Sequence, residues 1–378
     1  MIKPHNFLFC LTAVIIHSIM SADCIICPPP QNPPYEVTVW FVNQANQQVG
    51  NGTYNNPYQY LTDALNASHQ CDVIYVFPGT YDAGTEPRSP GSFVLQDNQR
   101  LLSTTLEAFQ MCPVSCDVPT LINSSGNSNV VQLANNNEVS GFFITKDNGN
   151  GIAGGITPIT NALITYNTFT VSSDNSNGVV FLSNPQLGNV IVSHCTFLGN
   201  DTSQDNGLTF VFCGNGQVVV SQNTFTGTDP TKGFQNGFIE QNSTADISFT
   251  LQYNNFTGAQ NLSFSSAAIV FFNQGSVGAQ NVKIVGNTIE RPSTFSGAGI
   301  ACINDTPSGP FYVALSNNTV ITPDNSIPGY VIWNSNNGDY LLGFDNSNKG
   351  TLSVNSPNPA VPASPPYFPV FSTPLNPY

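Results

Sequence analysis

The chain has 378 residues, of which only 8% are charged, and its 22 Asp and Glu outnumber its 8 Lys and Arg. A formal net charge of -14 leaves no basic face for phosphates, so nucleic-acid binding and an acidic membrane surface are excluded as main partners. Hydrophobic residues still make up 40% of the chain. The composition therefore predicts a folded protein whose surface is made polar by amides and hydroxyls.

Residues 1–22 have the order of a secretory signal peptide. A basic start precedes an apolar stretch, Phe7 to Ile16, and the small residues Ser21 and Ala22 follow. No later segment reaches the ~20 consecutive apolar residues of a transmembrane helix. We predict cleavage near Ala22, a secreted or cell-surface location, no transmembrane segment, and a Pro-rich linker over 23–35.

Cysteines are concentrated in the N-terminal third of the chain. Cys24 and Cys27 form a CxxC pair, and Cys112 and Cys116 form a CxxxC pair. Four thiolates could hold zinc. Because the two pairs lie far apart in an exported chain and have no His beside them, we favour disulfide bonds, with their connectivity open.

One short phrase recurs along the chain at intervals of about 30 residues. Its copies are Tyr166-Asn167-Thr168-Phe169, His194-Cys195-Thr196-Phe197, Gln222-Asn223-Thr224-Phe225, Tyr253-Asn254-Asn255-Phe256, Gly286-Asn287-Thr288-Ile289 and Asn317-Asn318-Thr319-Val320. Between the copies lies a second phrase, in which a Gly or Ala opens an apolar run that closes in Asn. These runs are short, β-branched or aromatic, and bounded by turn residues, which predicts strands and leaves no room for ordinary helices between them.

Such repeats bury their apolar residues by stacking on the next repeat, which predicts an all-β parallel solenoid with ~4.8 Å between strands. Equivalent residues then lie above one another, so the recurring Asn residues form a ladder with a Thr column beside it. Cys195 occupies an Asn position in this ladder. Cys213 and Cys302 are predicted to lie in matching slots three coils apart and to be small buried thiols, neither bonded to each other nor catalytic.

The segment before the repeats adds a helix. Val37 to Val42 is typical of a strand, and positions 61, 64, 65 and 68 have helical spacing, with Asn56 predicted to cap this helix and Pro57 to lie in its first turn. Strand-like runs follow from Asp72 to Tyr81 and from Phe93 to Leu102.

This opening resembles that of the right-handed parallel β-helix proteins of the pectin lyase-like superfamily, in which a short helix covers the open apolar end. The resemblance implies a right-handed parallel β-helix with a short N-terminal capping helix over 36–349. The chain also resembles the secreted or surface β-helix proteins called adhesin-like. A Pro-rich tail occupies 350–378, whose aromatic residues would cap the far end of the solenoid or serve as a partner peptide.

Enzymes of this superfamily cut polysaccharides, and the resemblance implies where to look for their motifs. The Asn-Thr-Asp, Asp-Asp, Gly-His-Gly and Arg-Ile-Lys phrases of the polygalacturonase-like pattern do not occur in the sequence. A pectate lyase-like site needs an acid cluster for calcium and an Arg that takes a proton, and the only arginines are Arg88, Arg100 and Arg291. His194 has no nucleophile pattern beside it and is interpreted as a structural residue.

The loops that follow the recurring phrase contain the main catalytic candidates, Asp174, Asp201, Asp205 and Asp229. Stacked loops would hold such carboxylates about 5–10 Å apart, as glycoside hydrolases require. Asp201, Asp205 and Asp229 could also bind Ca²⁺. The alternative interpretation is that Asp is simply a favoured turn residue.

Glu240 is the remaining catalytic candidate. Alignment on the closing Asn of the second phrase places it in the slot of Leu182, Phe271 and Ile332, inside the solenoid. A buried carboxyl has a raised pKa, as a general acid needs, although a shift of one residue would turn Glu240 outward.

Two hypotheses about function follow. The favoured one is an exported noncatalytic β-helix, adhesin-like or structural, with a polar face that binds a polysaccharide, a surface glycan or a protein partner. It needs no cofactor, with Ca²⁺ as the one possible ion. The alternative is a polysaccharide-degrading hydrolase or lyase that uses the acids named above.

Overall fold

The computed structural model describes residues 37–355, except 88–90, 106–116, 127–128, 147, 156–157, 172–175, 201–204, 229–232, 258–266, 274–277, 291–297, 305–308, 322–327 and 335–339. The predicted signal peptide and linker, residues 356–378 of the tail, and the CxxC and CxxxC cysteines lie outside the described residues. Cleavage, the tail's role and the N-terminal disulfides therefore stay predictions.

The described residues form one helix and 30 strands. The helix α1 spans Leu61–Ala67. The first ten strands are β1 (Val39–Val42), β2 (Val73–Val76), β3 (Thr80–Asp82), β4 (Phe93–Val94), β5 (Arg100–Ser103), β6 (Thr120–Ile122), β7 (Val131–Leu133), β8 (Asn137–Ser140), β9 (Phe143–Lys146) and β10 (Asn150–Gly154). The next ten are β11 (Asn161–Thr165), β12 (Thr168–Val171), β13 (Asn177–Leu182), β14 (Gly188–Ser193), β15 (Thr196–Gly199), β16 (Asn206–Val211), β17 (Gly216–Ser221), β18 (Thr224–Gly227), β19 (Asn236–Gln241) and β20 (Ile247–Gln252). The last ten are β21 (Asn255–Phe256), β22 (Ile269–Asn273), β23 (Gln280–Val285), β24 (Thr288–Glu290), β25 (Ile300–Asn304), β26 (Phe311–Ser316), β27 (Thr319–Ile321), β28 (Tyr330–Asn334), β29 (Tyr340–Phe344) and β30 (Leu352–Asn355).

The strands form three sheets. Sheet 1 has the order β1-β2-β5-β8-β11-β14-β17-β20-β23-β26-β29, sheet 2 the order β30-β28-β25-β22-β19-β16-β13-β10-β7-β4, and sheet 3 the order β27-β24-β21-β18-β15-β12-β9-β6-β3. Pairing is parallel, and through most of the chain each coil adds one strand to every sheet. The predicted all-β parallel β-helix is confirmed. β30 lies beyond residue 349, so sheet 2 extends into the segment that the sequence assigned to the tail.

A stack of phenylalanines explains why the recurring phrase ends in Phe. Phe169, Phe197, Phe225 and Phe256 lie in one column, with ring centroids 4.8, 4.6 and 4.5 Å apart and the rings nearly parallel. These distances match the strand spacing. The Gly that opens the second phrase makes room for the stack, since a Cβ at Gly207 would lie 2.7 Å from the Phe225 ring.

The predicted asparagine ladder is confirmed. The amide of Asn254, 1% exposed, donates to Asn287 Oδ1 at 2.9 Å and to the Val220 carbonyl at 2.9 Å. Its own Oδ1 accepts from the backbone N–H and the side-chain amide of Asn223, both at 3.0 Å. The ladder continues through Asn318 to Asn348. Each rung thus satisfies buried backbone groups at the turn between sheets 1 and 3.

Cys195 fills one rung of this ladder, as predicted. Its N–H donates to Asn223 Oδ1 at 2.9 Å, and its thiol contacts the Ile164 carbonyl at 3.6 Å. Burial raises the pKa of this thiol to about 12, which excludes a nucleophilic role at neutral pH. Cys213 is also buried and its pKa is likewise raised to about 12.

The prediction that Cys213 and Cys302 share a slot is wrong. Cys302 lies in β25 in register with Phe271 and Ile332, whereas Cys213 lies in the turn after β16. No disulfide joins Cys71, Cys195, Cys213 or Cys302 to one another.

We expect Cys195→Asn to raise the free energy of unfolding by about 1 kcal/mol, because a full amide replaces a weak sulfur donor and acceptor in a slot that holds Asn in neighbouring coils. The midpoint of urea unfolding measures this. The matched control is Cys302→Asn, which buries an amide between apolar neighbours and should lower the midpoint. A lower midpoint for Cys195→Asn would contradict the ladder argument.

The helix α1 covers the N-terminal end of the core, where Leu61, Ala64 and Leu65 are buried. The predicted capping by Asn56 and the placement of Pro57 in the first turn are wrong, because the helix begins later, with Tyr60 at the N-cap and no side-chain cap there. Instead, the carboxylate of Glu86 accepts from the Thr62 N–H at 2.8 Å and from its hydroxyl at 3.0 Å. Burial outweighs these bonds and raises the pKa of Glu86 to about 7.

Candidate functional site

The outer face of sheet 1 repeats the same pattern in six successive coils, β11, β14, β17, β20, β23 and β26. Alternate residues of each strand point outward, so three rows of outward side chains run along the solenoid. The polar row is Asn161, Asn189, Gln217, Ser248, Asn281 and Tyr312. The middle row is Leu163, Ile191, Val219, Thr250, Lys283 and Ala314. The hydroxyl row is Thr165, Ser193, Ser221, Gln252, Val285 and Ser316; four of the six carry a hydroxyl, and Thr165 and Ser193 are buried.

A fourth row, the turn row, borders the hydroxyl row at the turn from sheet 1 to sheet 3. It consists of Tyr166, His194, Gln222, Tyr253, Gly286 and Asn317, all with positive φ between 55° and 66°. Five of these turns are fixed by a backbone bond to the next coil, for example from the Tyr253 N–H to the Val285 carbonyl at 3.0 Å, and at Asn317 the N–H donates to the Ser347 hydroxyl at 2.9 Å. The side chains of this row are therefore presented at fixed spacing along the edge of sheet 1.

Aromatic rings in the turn row are exposed. Tyr166 and Tyr253 are 52% and 60% exposed, and the ring of Tyr166 stacks on that of His194 with centroids 4.8 Å apart. A Cβ at Gly286 would lie 2.7 Å from the Tyr253 ring, so this glycine lets the ring lie flat over the next coil. Partial burial lowers the pKa of His194, which keeps the stack uncharged at neutral pH.

A shallow depression lies at the other edge of sheet 1, beside the polar row. Gly188 and Gly216 pair in register there, and a Cβ at Gly216 would lie 2.4 Å from the Gly188 carbonyl oxygen. The depression is lined by Gln217, Ser248 and Asp246, among others. The glycines are needed for the close approach of successive coils, and they leave the backbone of the turn open to a ligand.

Asp246 is a functional candidate that sequence reasoning missed. It is exposed, and its Oδ1 accepts from the Ala279 N–H at 2.8 Å, which holds the carboxylate at the rim of the depression. The sequence feature that could have indicated Asp246 is an acid directly before an apolar strand of sheet 1. Asn215, Ala279 and Pro310 stand directly before the equivalent strands of neighbouring coils, and an acid recurs before β29, at Asp339, which lies outside the described residues.

Of the four aspartates predicted on the loops, the structure describes only Asp205. This residue is 0% exposed. Its Oδ1 accepts from the Ser176 N–H at 3.2 Å and its backbone carbonyl accepts from the Gln235 N–H at 2.7 Å. Asp205 therefore ties three successive coils together beneath the surface.

Asp174, Asp201 and Asp229 lie outside the described residues, so the carboxylate cluster and its Ca²⁺ remain a hypothesis. Among the residues that the structure describes, no group of three or more His, Cys, Asp or Glu side chains is placed to hold a metal ion.

Glu240 lies inside the solenoid. It is 1% exposed and in register with Phe210 and Phe271; the equivalent residue two coils earlier is Phe181, not Leu182, which points outward. Its Oε1 accepts from the Gln280 side-chain amide at 3.0 Å, and within the described part of the chain Oε2 has no hydrogen-bond partner. Burial raises the pKa of this carboxyl well above its usual value of 4.5. At this depth the carboxyl does not contact a polysaccharide on the surface.

We expect Glu240 to make the protein less stable as the pH rises. The folded state holds the proton of Glu240 more tightly than the unfolded state, so the unfolding free energy falls with pH above the unfolded value of 4.5 until the raised folded pKa is reached. In Glu240→Gln the side-chain oxygen at position 240 still accepts the hydrogen bond from Gln280, but the side chain no longer titrates. The difference between the urea midpoints of this variant and the native protein should therefore grow between pH 5 and pH 8 in favour of the variant.

The difference between the two proteins cancels the contribution of Glu86, which titrates in both. A difference that does not change with pH would contradict a neutral, buried Glu240.

Comparison with known proteins finds similarity to solved structures at low sequence identity. The chain matches no protein-family model and no curated protein. Among solved structures it is similar to a rhamnogalacturonan lyase, with 11% identity, a TM-score of 0.40 and coverage of 84% of this chain and 85% of that one. It is similar to the GH136 lacto-N-biosidase from Eubacterium ramulus, with 9% identity, a TM-score of 0.41 and coverage of 84% and 68%. It is also similar to pectate lyase Pel9A, with 14% identity, a TM-score of 0.35 and coverage of 83% and 80%.

The parallel β-helix that the predicted resemblance implies is confirmed by the order of strands in the three sheets. Within the described residues, no helix has the length and apolar character needed to cross a membrane.

Proposed function

We propose that this protein is an exported β-helix that binds uncharged glycan chains on the outer face of sheet 1. The observation that carries the proposal is the repetition of the polar, middle and hydroxyl rows in six successive coils, with the turn row beside them. A surface that repeats along one axis fits a ligand that repeats along one axis.

The chemistry of the rows fits a sugar chain. A pyranose ring has apolar C–H faces and a rim of hydroxyl groups. Half-buried aliphatic side chains such as Ile191 and Val219 would contact the C–H faces. The amides of Asn189 and Gln217, which donate and accept at once, would pair with the hydroxyls. Exposed Tyr166 and Tyr253 supply flat rings of the kind that stack on sugars.

Charge favours a neutral glycan over a uronate polymer. The chain has a net charge of -14, and the six coils of the outer face contribute one lysine to the middle row, Lys283. An anionic polymer would be repelled over most of this surface. The coil spacing of ~4.8 Å is close to the length of one pyranose unit, so a chain laid along the axis meets about one coil per sugar.

The test measures binding of the mature protein to a panel of neutral and uronate polysaccharides by co-sedimentation and affinity electrophoresis. We expect binding to one or more neutral polymers, and we expect Asn189→Ala combined with Gln217→Ala to weaken it by about tenfold, since two hydrogen-bonding amides are lost.

The matched control is Asn255→Ala, which removes an exposed amide from the outer face of sheet 3. Equal binding by the double variant and the native protein would refute sheet 1 as the site. A protein that binds no glycan of the panel would refute the proposed function itself.

Cleavage of the glycan is the second candidate function, and Asp246 is the observation that favours it. Its exposed carboxylate lies at the rim of the depression beside Gln217 and Ser248. Glycoside hydrolysis uses two carboxyl groups, and Asp246 supplies one, so binding remains the first candidate.

Size-exclusion chromatography of each glycan after incubation with the protein separates the two functions. Shortened chains that disappear with Asp246→Asn would establish cleavage, whereas intact chains that co-elute with the protein would establish binding alone.

A further inference from the structure

The outer face of sheet 2 differs from that of sheet 1. Its outward side chains form two adjacent apolar columns, which we call the sheet 2 stripe. The first column is Leu182, Val211, Gln241, Phe272, Ile303 and Trp333. The second column is Val180, Thr209, Ile239, Val270, Ala301 and Val331. Ten of these twelve positions are hydrophobic, and none is charged.

The two columns differ in exposure. In the second column, Val270 and Ala301 are 4% and 6% exposed and pack in one cluster with Ile239 and Val331. In the first column, Leu182 and Trp333 are each 46% exposed. The first column is the part of the stripe that meets solvent, and an apolar column in water is a docking site because leaving it there costs free energy that a covering segment recovers.

The chain leaves the solenoid at this stripe. The last strand, β30, pairs with β28 at the end of sheet 2, with Ser353 in register with Val331 and Asn355 in register with Trp333. The segment that follows, residues 356–378, therefore starts at the C-terminal end of both columns.

The composition of residues 356–378 suits an apolar surface. The segment contains eight prolines and no Asp, Glu, Lys or Arg, and its large side chains are Tyr367, Phe368, Phe371 and Tyr378. Segments that stay in solvent are typically rich in charge and poor in aromatic residues. Prolines lack N–H groups, so this segment suits packing across the face of a sheet better than extending its edge.

We propose that residues 356–378 fold back along the sheet 2 stripe and cover it with their aromatic side chains. In a polyproline II conformation the segment reaches roughly 70 Å, at 3.1 Å per residue. The six coils of the stripe span roughly 25 Å at ~4.8 Å per coil. The segment therefore reaches the whole stripe from its starting point at β30, with enough residues left for a turn at Asn355.

The occupant is this segment and not a second copy of the protein, because the segment is tethered at the stripe. A tether makes docking intramolecular, and the effective concentration of a short tethered segment is in the millimolar range. The stripe lies on a different sheet from the proposed glycan face, so a negative result for one proposal leaves the other unaffected.

Trp333 makes the proposal testable by fluorescence. The chain has only two tryptophans, so Trp40→Phe leaves Trp333 as the sole emitter. In that background we compare the intact segment with the triple variant Tyr367→Ser, Phe368→Ser, Phe371→Ser. We expect the triple variant to shift the Trp333 emission to longer wavelength and to increase its quenching by acrylamide. The matched control, Ser356→Ala, Ser364→Ala, Ser372→Ala, should leave both unchanged.

Identical emission and quenching in the triple variant and its background would overturn the proposal. Protection of Trp333 that is lost on dilution would also overturn it, in favour of a second copy as occupant. Addition of a synthetic 356–378 peptide to the triple variant should restore the emission. Hydroxyl-radical footprinting of the unmodified chain gives a second readout: Tyr367 and Phe368 should be protected, and full reactivity of both rings would refute docking.

Discussion

Phe225→Ala should lower the free energy of unfolding by about 3–5 kcal/mol, the usual cost of deleting a fully buried phenyl ring. Phe225 is 1% exposed and lies between Phe197 and Phe256, with ring centroids 4.6 and 4.5 Å away. Both neighbours are held by their own strands and cannot collapse into the cavity. The midpoint of urea unfolding and the melting temperature measure the loss.

The matched control for this substitution is Phe212→Ala. Phe212 is 47% exposed in the turn after β16, so its removal leaves no cavity and should change stability by less than about 0.5 kcal/mol. Similar losses for Phe225→Ala and Phe212→Ala would show that the phenylalanine column does not stabilise the solenoid.

Asn254→Ala should also cost about 3–5 kcal/mol, although it removes only a small polar side chain, because it leaves several buried groups without partners. The Asn223 N–H and side-chain amide lose their acceptor, and Asn287 Oδ1 loses a donor. Burial prevents water from replacing these bonds. The loss is measured by urea unfolding, and hydrogen exchange should show faster exchange of the Asn223 amide.

Asn255→Ala is the control for this variant, since Asn255 is the next residue in the chain and is exposed on the outer face of sheet 3. We expect a change within about 0.5 kcal/mol. If Asn255→Ala lowers the free energy of unfolding as much as Asn254→Ala does, intrinsic turn preference and not the ladder would explain the regular spacing of Asn along the repeat.

The two substitutions probe the two kinds of contact between coils, ring stacking and amide pairing. Each coil touches only the coils next to it, so the stability of a solenoid is close to a sum over neighbouring coils. A defect at Phe225 or Asn254 therefore weakens the middle of the solenoid, and the coils on either side lose their continuous support.

The fold could be predicted because its signal is repeated. Asn223, Asn254 and Asn287 recur at one period together with Thr and Phe, and only a solenoid places such residues directly above one another. The asparagine ladder and the place of Cys195 in it followed from that period alone, whereas the stacking of the phenylalanine rings is seen in the structure.

Errors arose where no repeat exists or where the register shifts by one residue. The helix α1 occurs once, so only local capping preferences predict its start. In the structure the carboxylate of Glu86, distant in sequence, accepts the hydrogen bonds at the start of this helix, and Asn56 does not. Cys213 and Cys302 each stand two residues before an Asn, but a turn with positive φ after β16 places Cys213 outside the strand. One residue of shift exchanges the inside and outside of a strand.

The period, the composition of the strands and the recurring residues can be predicted from the sequence, because they depend on spacing along one chain. Which side chains share a face depends on how the coils pack in three dimensions. The outer rows of sheet 1, the exposed carboxylate of Asp246 and the burial of Glu240 and Asp205 depend on turns whose length and direction vary from coil to coil. A carboxylate becomes a surface group or a buried one by the orientation of its strand, and that orientation is fixed by packing against neighbouring coils.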